Sequence, residues 1–148
     1  MATIKFEFSL RLRHETDDLL LVTEQLGFAS DAGWNKGEQN RTISGALRAG
    51  TRDASYRNFS LGAATSVDMD DAVSECLEKL TPFASVLQSF VSSGGMASLA
   101  VGWFFDSAVG GDRIPAEIMA EIVRLNLTLD LYLYFSPEPS ATAKLAAG

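Results

Sequence analysis

LTLDLYLYF, residues 127–135, sets Leu127, Leu129, Leu131, Leu133 and Phe135 at every second position, with Thr128, Asp130, Tyr132 and Tyr134 between them. Side chains on a strand alternate between its faces, so this stretch reads as a strand with one aliphatic and one amphipathic face. Five large apolar side chains pointing one way demand a layer to bury against, and amphipathic helices are the expected supply.

The segment just upstream provides one. Pro115 suits the first position of a helix, and Ile118, Ile122 and Leu125, with Met119 beside them, recur at helical spacing. Before it, MASLAVGWFF at 96–105 is apolar on both faces and reads as an interior strand. Gly110 and Gly111 mark the turn between them.

Residues 4–13 mirror the closing strand. Ile4, Phe6, Phe8, Leu10 and Leu12 alternate with Lys5, Glu7, Ser9, Arg11 and Arg13, giving one wet face. Thr16 is placed to cap a helix carrying Leu19, Val22 and Leu26, which Gly27 closes. Residues 28–41, FASDAGWNKGEQNR, read as a loop, residues 42–47 as a weak strand, and 50–53 as a turn. A short strand follows over residues 56–61, and the two strands are expected to pair as a hairpin. Asp68 opens the longest helix, whose apolar face is Ala72, Val73, Cys76, Leu77 and Leu80. Pro82 cannot continue that helix, so a kink or restart is predicted with Thr81 as cap; Phe83, Val86, Leu87 and Phe90 carry the second half.

This order predicts an α+β fold. A largely antiparallel or mixed sheet of four or five strands carries helices on one face, ferredoxin-like with an extra C-terminal helix and strand. Residues 1–136 are expected to form one domain, and 137–148, rich in Pro, Ser and Ala, an irregular or mobile tail. The charged and apolar alternation of residues 1–12 is unlike a signal peptide, and no apolar run reaches the length of a membrane span. A cytoplasmic protein is the expectation, with no membrane partner.

Composition mostly excludes. The net charge of −7 argues against nucleic acid, whose phosphates need clustered Lys and Arg, and permits a basic protein partner. His14 is the one histidine, so no Ser–His–Asp or Cys–His arrangement can be built without it, and one histidine with one cysteine, Cys76, is a short supply for a transition-metal site. His14 is expected at the surface and Cys76 as an inert buried thiol. Asp68, Asp70 and Asp71 with Glu75 form an acidic knot that lacks calcium-loop spacing and suits a helix start. Gly94–Gly95 runs from helix to strand, the wrong way for a phosphate loop. Gly110–Gly111 lacks the Lys and Ser/Thr offset, leaving Arg113 as a weak anion signal. No catalytic, cofactor or metal residue emerges, and an enzyme is the less favoured reading.

Two stretches suggest contact with a partner. Trp34, with Lys36 and Glu38, lies in a polar glycine-rich loop, where a tryptophan either folds onto the core or meets something. Asp130, Tyr132 and Tyr134 line one face of the last strand. That face is either a binding or dimer surface, or is used up by cross-strand pairs such as Asp130 with Lys5 or Arg11.

The FSLRL strand, the LGF helix end, the GWNKGE loop, the YRNFSL strand, the DAVSECLEKLTPF helix and the LDLYLYF ending together span roughly residues 4–136. In these the chain resembles a bacterial family known as domain of unknown function 4279. The resemblance brings no catalytic residues with it, and it implies that some members act as immunity proteins beside secreted toxins. The leading expectation is therefore a non-enzymatic interaction domain that binds and neutralises a toxin. The alternatives are a small-molecule or catalytic domain using the 34–38 loop and the polar face of the last strand, and a homodimeric structural domain.

Overall fold

The computed structural model describes residues 5–65, 67–105 and 110–135; the tail expected at 137–148 lies outside them. Its strands are β1 (Lys5–His14), β2 (Ala32–Trp34), β3 (Gln39–Arg41), β4 (Leu47–Thr51), β5 (Ser55–Thr65), β6 (Met96–Phe105) and β7 (Thr128–Phe135). The helices are α1 (Leu20–Leu26), α2 (Met69–Leu80), α3 (Ala84–Ser92) and α4 (Ala116–Arg124). Five strands form one mixed sheet in the order β2–β5–β1–β6–β7, and β3 and β4 form a separate hairpin.

The order follows from the connections. Strand β1 is antiparallel to both β5 and β6, so β5 and β6 run the same way with β1 between them. Joined through α2 and α3, they make a split β–α–β unit. Strand β6 then crosses over through α4 to a parallel β7, which is the added C-terminal helix and strand. Helices cover one face of the sheet, as period-two alternation with a polar face requires.

The core lies between that face and the helices. Phe6, Phe8, Leu10 and Leu12 of β1 are buried, with Phe59 and Leu61 of β5 and Leu99 and Val101 of β6. Above them sit Val73, Leu77 and Leu80 of α2, Leu87 and Phe90 of α3, and Val22 and Leu26 of α1. Cys76 is buried in the same layer. Phe28 closes one end, its ring against Phe59 and Phe83.

Pro82 interrupts the long helix as expected: a single 3-10 turn, Thr81–Phe83, separates α2 from α3. Thr81 does not cap the restart, because its hydroxyl donates back to Leu77 O at 2.8 Å. The α2 N-terminus is served from afar, Met69 N–H donating to the Asp112 carboxylate at 2.9 Å. Asn126, at φ 59°, turns the chain from α4 into β7, and Leu127 N–H donates to Ile122 O.

Five local expectations are corrected. Residues 28–41, expected as a loop, hold the short strands β2 and β3. Helix α1 begins at Leu20, four residues after Thr16, because the Thr16 and Asp17 N–H groups are taken by His14 Nδ1 at 3.2 and 3.0 Å. His14 is buried, not at the surface. Residues 42–46 form the turn between β3 and β4, held by Thr42 N–H to Ala46 O and Gly45 N–H to Thr42 O, and the strand begins only at Leu47. It pairs with β3, whereas β5 pairs with β1 and β2. Finally, of the five apolar side chains at 127–135 only Leu127 is buried and Leu129 half-buried; Leu131, Leu133 and Phe135 are exposed by 49%, 60% and 49%.

Candidate functional site

The face of the sheet turned away from the helices carries an arginine–aromatic band from one edge to the other. It starts on β2, which meets β5 so closely that a Cβ on Gly33 would lie 2.4 Å from Tyr56 O. Glycine is thus needed for the approach that sets Trp34 opposite Tyr56, their ring centroids 4.7 Å apart. The Arg52 guanidinium lies over the Trp34 ring at 3.8 Å. Trp34 is therefore half-buried by its own neighbours and not folded into the core.

The next members stand on β5, β1 and β7. Arg11 Nε donates to Asn58 Oδ1 at 3.2 Å, and Arg11 Nη1 donates to the Tyr132 hydroxyl at 2.9 Å, with the guanidinium 4.9 Å from that ring centre. Burial raises the Tyr56 pKa above its ordinary value; the Arg11 charge opposes this and Tyr132 adds to it. Two phenols thus flank one guanidinium. Further along, Tyr134 stacks on Phe104 at 4.6 Å and 11°. Gly102 lies beneath them, where an added Cβ would meet both rings at 3.4–3.6 Å.

Trp34 and Tyr132, far apart in sequence, are thus linked through Tyr56 and Arg11. Neither link stood out in the sequence, since adjacency across strands depends on sheet order. Asp130 is opposite Ala100 on β6, which separates it from β1, and it has no ion pair among the described residues. The cross-strand partner imagined for it on β1 is replaced by the longer reach of Tyr132. Lys36 and Glu38 belong to the turn after β2. The Glu38 carboxylate accepts the Asn35 N–H, and the Lys36 N–H donates to Ser55 Oγ at 2.9 Å, leaving both side chains exposed. Three strands separate this turn from Asp130, roughly 19 Å at ordinary strand spacing.

Two clefts accompany the face. One, of about 630 Å³, lies between Trp34 and the β3–β4 hairpin and is lined by Arg41, Arg52, Gln39 and Ile43. The other, of about 650 Å³, lies on the helical side beside His14, Gln25 and Ser93. There His14 Nδ1 accepts two backbone N–H groups, so the ring proton sits on Nε2, which faces Ser93 O at 3.1 Å. The Ser93 hydroxyl donates to Phe90 O at 2.6 Å. The lone pair is occupied and the hydroxyl proton committed, so this pair braces the end of β1 rather than activating a nucleophile. The signal for this was in the alternation: His14 continues the inward series Phe6, Phe8, Leu10, Leu12.

Elsewhere, burial pushes the Cys76 thiol up to about 11, with Lys79 opposing and Glu75 adding, so it is a weak nucleophile. Ligand atoms of Asp68, Asp70 and Asp71 lie within 4.8 Å of one another, yet Asp70 already accepts the Asp71 N–H, as acids at a helix start do. Among the described residues, no helix is long and apolar enough to cross a membrane.

Residues 3–136 match the family model described as Domain of unknown function (DUF4279), and the chain belongs to that family. No curated protein and no solved structure matches it.

Proposed function

We propose that this DUF4279 protein is a non-enzymatic interaction domain whose open sheet face receives another protein. The observation that carries the reading is the band Trp34–Tyr56–Arg11–Tyr132, which crosses the sheet on the face without helices. Trp, Tyr and Arg are the side chains that concentrate binding energy at interfaces, and here their mutual contacts fix them before any partner arrives. The family likeness supports a finer reading: a bacterial immunity-type protein that blocks a secreted toxin. We take it to act in the cytoplasm, a compartment suited to the lone thiol of Cys76.

Mixing the protein with toxins encoded near its gene, followed by calorimetry, tests this. One of them should bind, and Trp34→Ala with Tyr132→Ala should weaken the complex by at least about tenfold while the variants stay folded at the assay temperature, as their circular dichroism checks. No complex with any candidate, or one indifferent to both substitutions, overturns the proposal.

A specific observation favours a second reading, a homodimer through β7. This edge strand has Asp130 as its lone charge and exposes Leu131, Leu133 and Phe135. Light scattering of the native chain beside Leu131→Lys/Leu133→Lys decides it, a dimer being expected only for the first.

A further inference from the structure

We infer that the partner's docking surface is acidic, and that the β3–β4 hairpin is the element that reads it. The inference rests on the interaction reading above and adds the partner's chemistry. It starts from a charge separation that the total conceals. In a chain of net charge −7, residues 32–60 hold Lys36, Arg41, Arg48, Arg52 and Arg57 against only Glu38 and Asp53. Helix α2, on the other side of the sheet, holds Asp70, Asp71, Glu75 and Glu78 against only Lys79. The segment that carries Trp34 and the β3–β4 hairpin is therefore positive in a protein that is negative as a whole.

The arginines of this region are held by neutral groups. Arg41 Nη1 donates to Gly45 O at 2.9 Å, and Arg52 Nη2 to Arg41 O at 3.1 Å. Arg11 donates to Asn58 and Tyr132, and Arg57, opposite Leu12 and so on the helix-side face at the same sheet edge, donates to Trp34 O and Asn35 Oδ1. Among the described residues, none of these four has a carboxylate within 4 Å; Arg13, 3.7 Å from Asp53, is the paired exception. Carbonyl acceptors orient a guanidinium fork without cancelling its charge. Such forks are set for bidentate carboxylates, and their ordering cost is already met within the fold. Arg52 Nε is itself buried and without a hydrogen-bond partner.

The hairpin also offers an apolar contact. Ile43, in its turn, is fully exposed and lines the cleft with Arg41 and Arg52. An exposed isoleucine ringed by uncompensated arginines fits a protein surface that sets carboxylates around a shallow apolar notch. Nucleic acid fits less well. Glu38 and Asp53 lie among these cations, Asp31 and Asp130 share the open face, and the whole chain repels a polyanion.

A short oligo-glutamate peptide is the probe, with oligo-lysine and an oligothymidylate of equal charge as comparators, followed by amide NMR at low ionic strength. Oligo-glutamate should shift signals of residues 39–52 saturably, while oligo-lysine acts on α2. The exposed pair Arg41→Glu/Arg48→Glu should weaken oligo-glutamate binding by about tenfold or more with the fold intact. No hairpin shifts with oligo-glutamate, or tighter binding of oligothymidylate there, overturns the inference. Once a partner is in hand, the two proposals separate. If Trp34→Ala and Tyr132→Ala abolish its binding while the charge reversal leaves it unchanged or strengthens it, the interaction reading stands and only the acidic partner falls.

Discussion

Strands β1 and β7 carry nearly the same pattern and meet opposite fates. Each sets large apolar side chains at every second position, and the register aligns them across β6: Phe8 with Val101 and Leu131, Phe6 with Trp103 and Leu133. Yet Phe6, Phe8, Leu10 and Leu12 are buried, while Leu131, Leu133 and Phe135 lie open by about half. Period-two alternation reports which face a side chain takes. Whether that face is covered depends on the strand's rank in the sheet and on how far the helices reach. Helices α2 and α3 span the middle strands, whereas α4 shelters β7 only near Leu127 and Leu129.

The largest effects should separate the strands most clearly. Leu10→Ala is expected to cost about 3 kcal/mol in urea unfolding, the usual penalty of a cavity at a closed core position. Leu133→Ala, aligned on the same face, should stay within about 0.5 kcal/mol. Equal costs would erase the distinction. A sharper contrast uses the last inward positions. His14→Ala should cost about 2 kcal/mol, because the Thr16 and Asp17 N–H groups lose their acceptor. Phe135→Ala, despite the greasier side chain, should cost less.

The smallest effect concerns the layer over β1. The folded Cys76 thiol, with a pKa near 11 against an ordinary 9.0, holds its proton more tightly than the unfolded chain does. Its contribution is complete below about pH 9 and is lost as pH rises toward about 11. Urea midpoints across that window should fall less steeply for Cys76→Ala than for the native chain.

Much of the fold was legible because strand and helix periods are local signals. The strands β1, β6 and β7 follow from alternation or apolar runs, and the helix break follows from Pro82. The hairpin was given the wrong partners: 42–47 was expected to pair with 56–61, whereas β4 pairs with β3, inside the stretch read as a loop. The Thr42–Leu47 stretch reads as strand-forming, but Ser44–Gly45 is a turn signal, and Gly45 at φ 92° occupies the turn. His14 was judged by its polarity when its parity placed it inside. The candidate site was legible only in pieces. Trp34 and Tyr132 stood out as aromatic side chains in polar settings, whereas Arg11 and Tyr56 gained meaning only once β5, β1 and β7 were ordered in space.

That order has a consequence during synthesis. Strand β1 is hydrogen-bonded on one side to β5 and on the other to β6, both made well after it. As the nascent chain leaves the ribosome, this apolar ribbon waits without a neighbour until residue 65 has emerged, and without its second until residue 105. Long-range closure of this kind slows folding and leaves sticky surface in the interval. A holdase or trigger-type chaperone should therefore raise the yield of this protein more than that of a helical bundle of equal length.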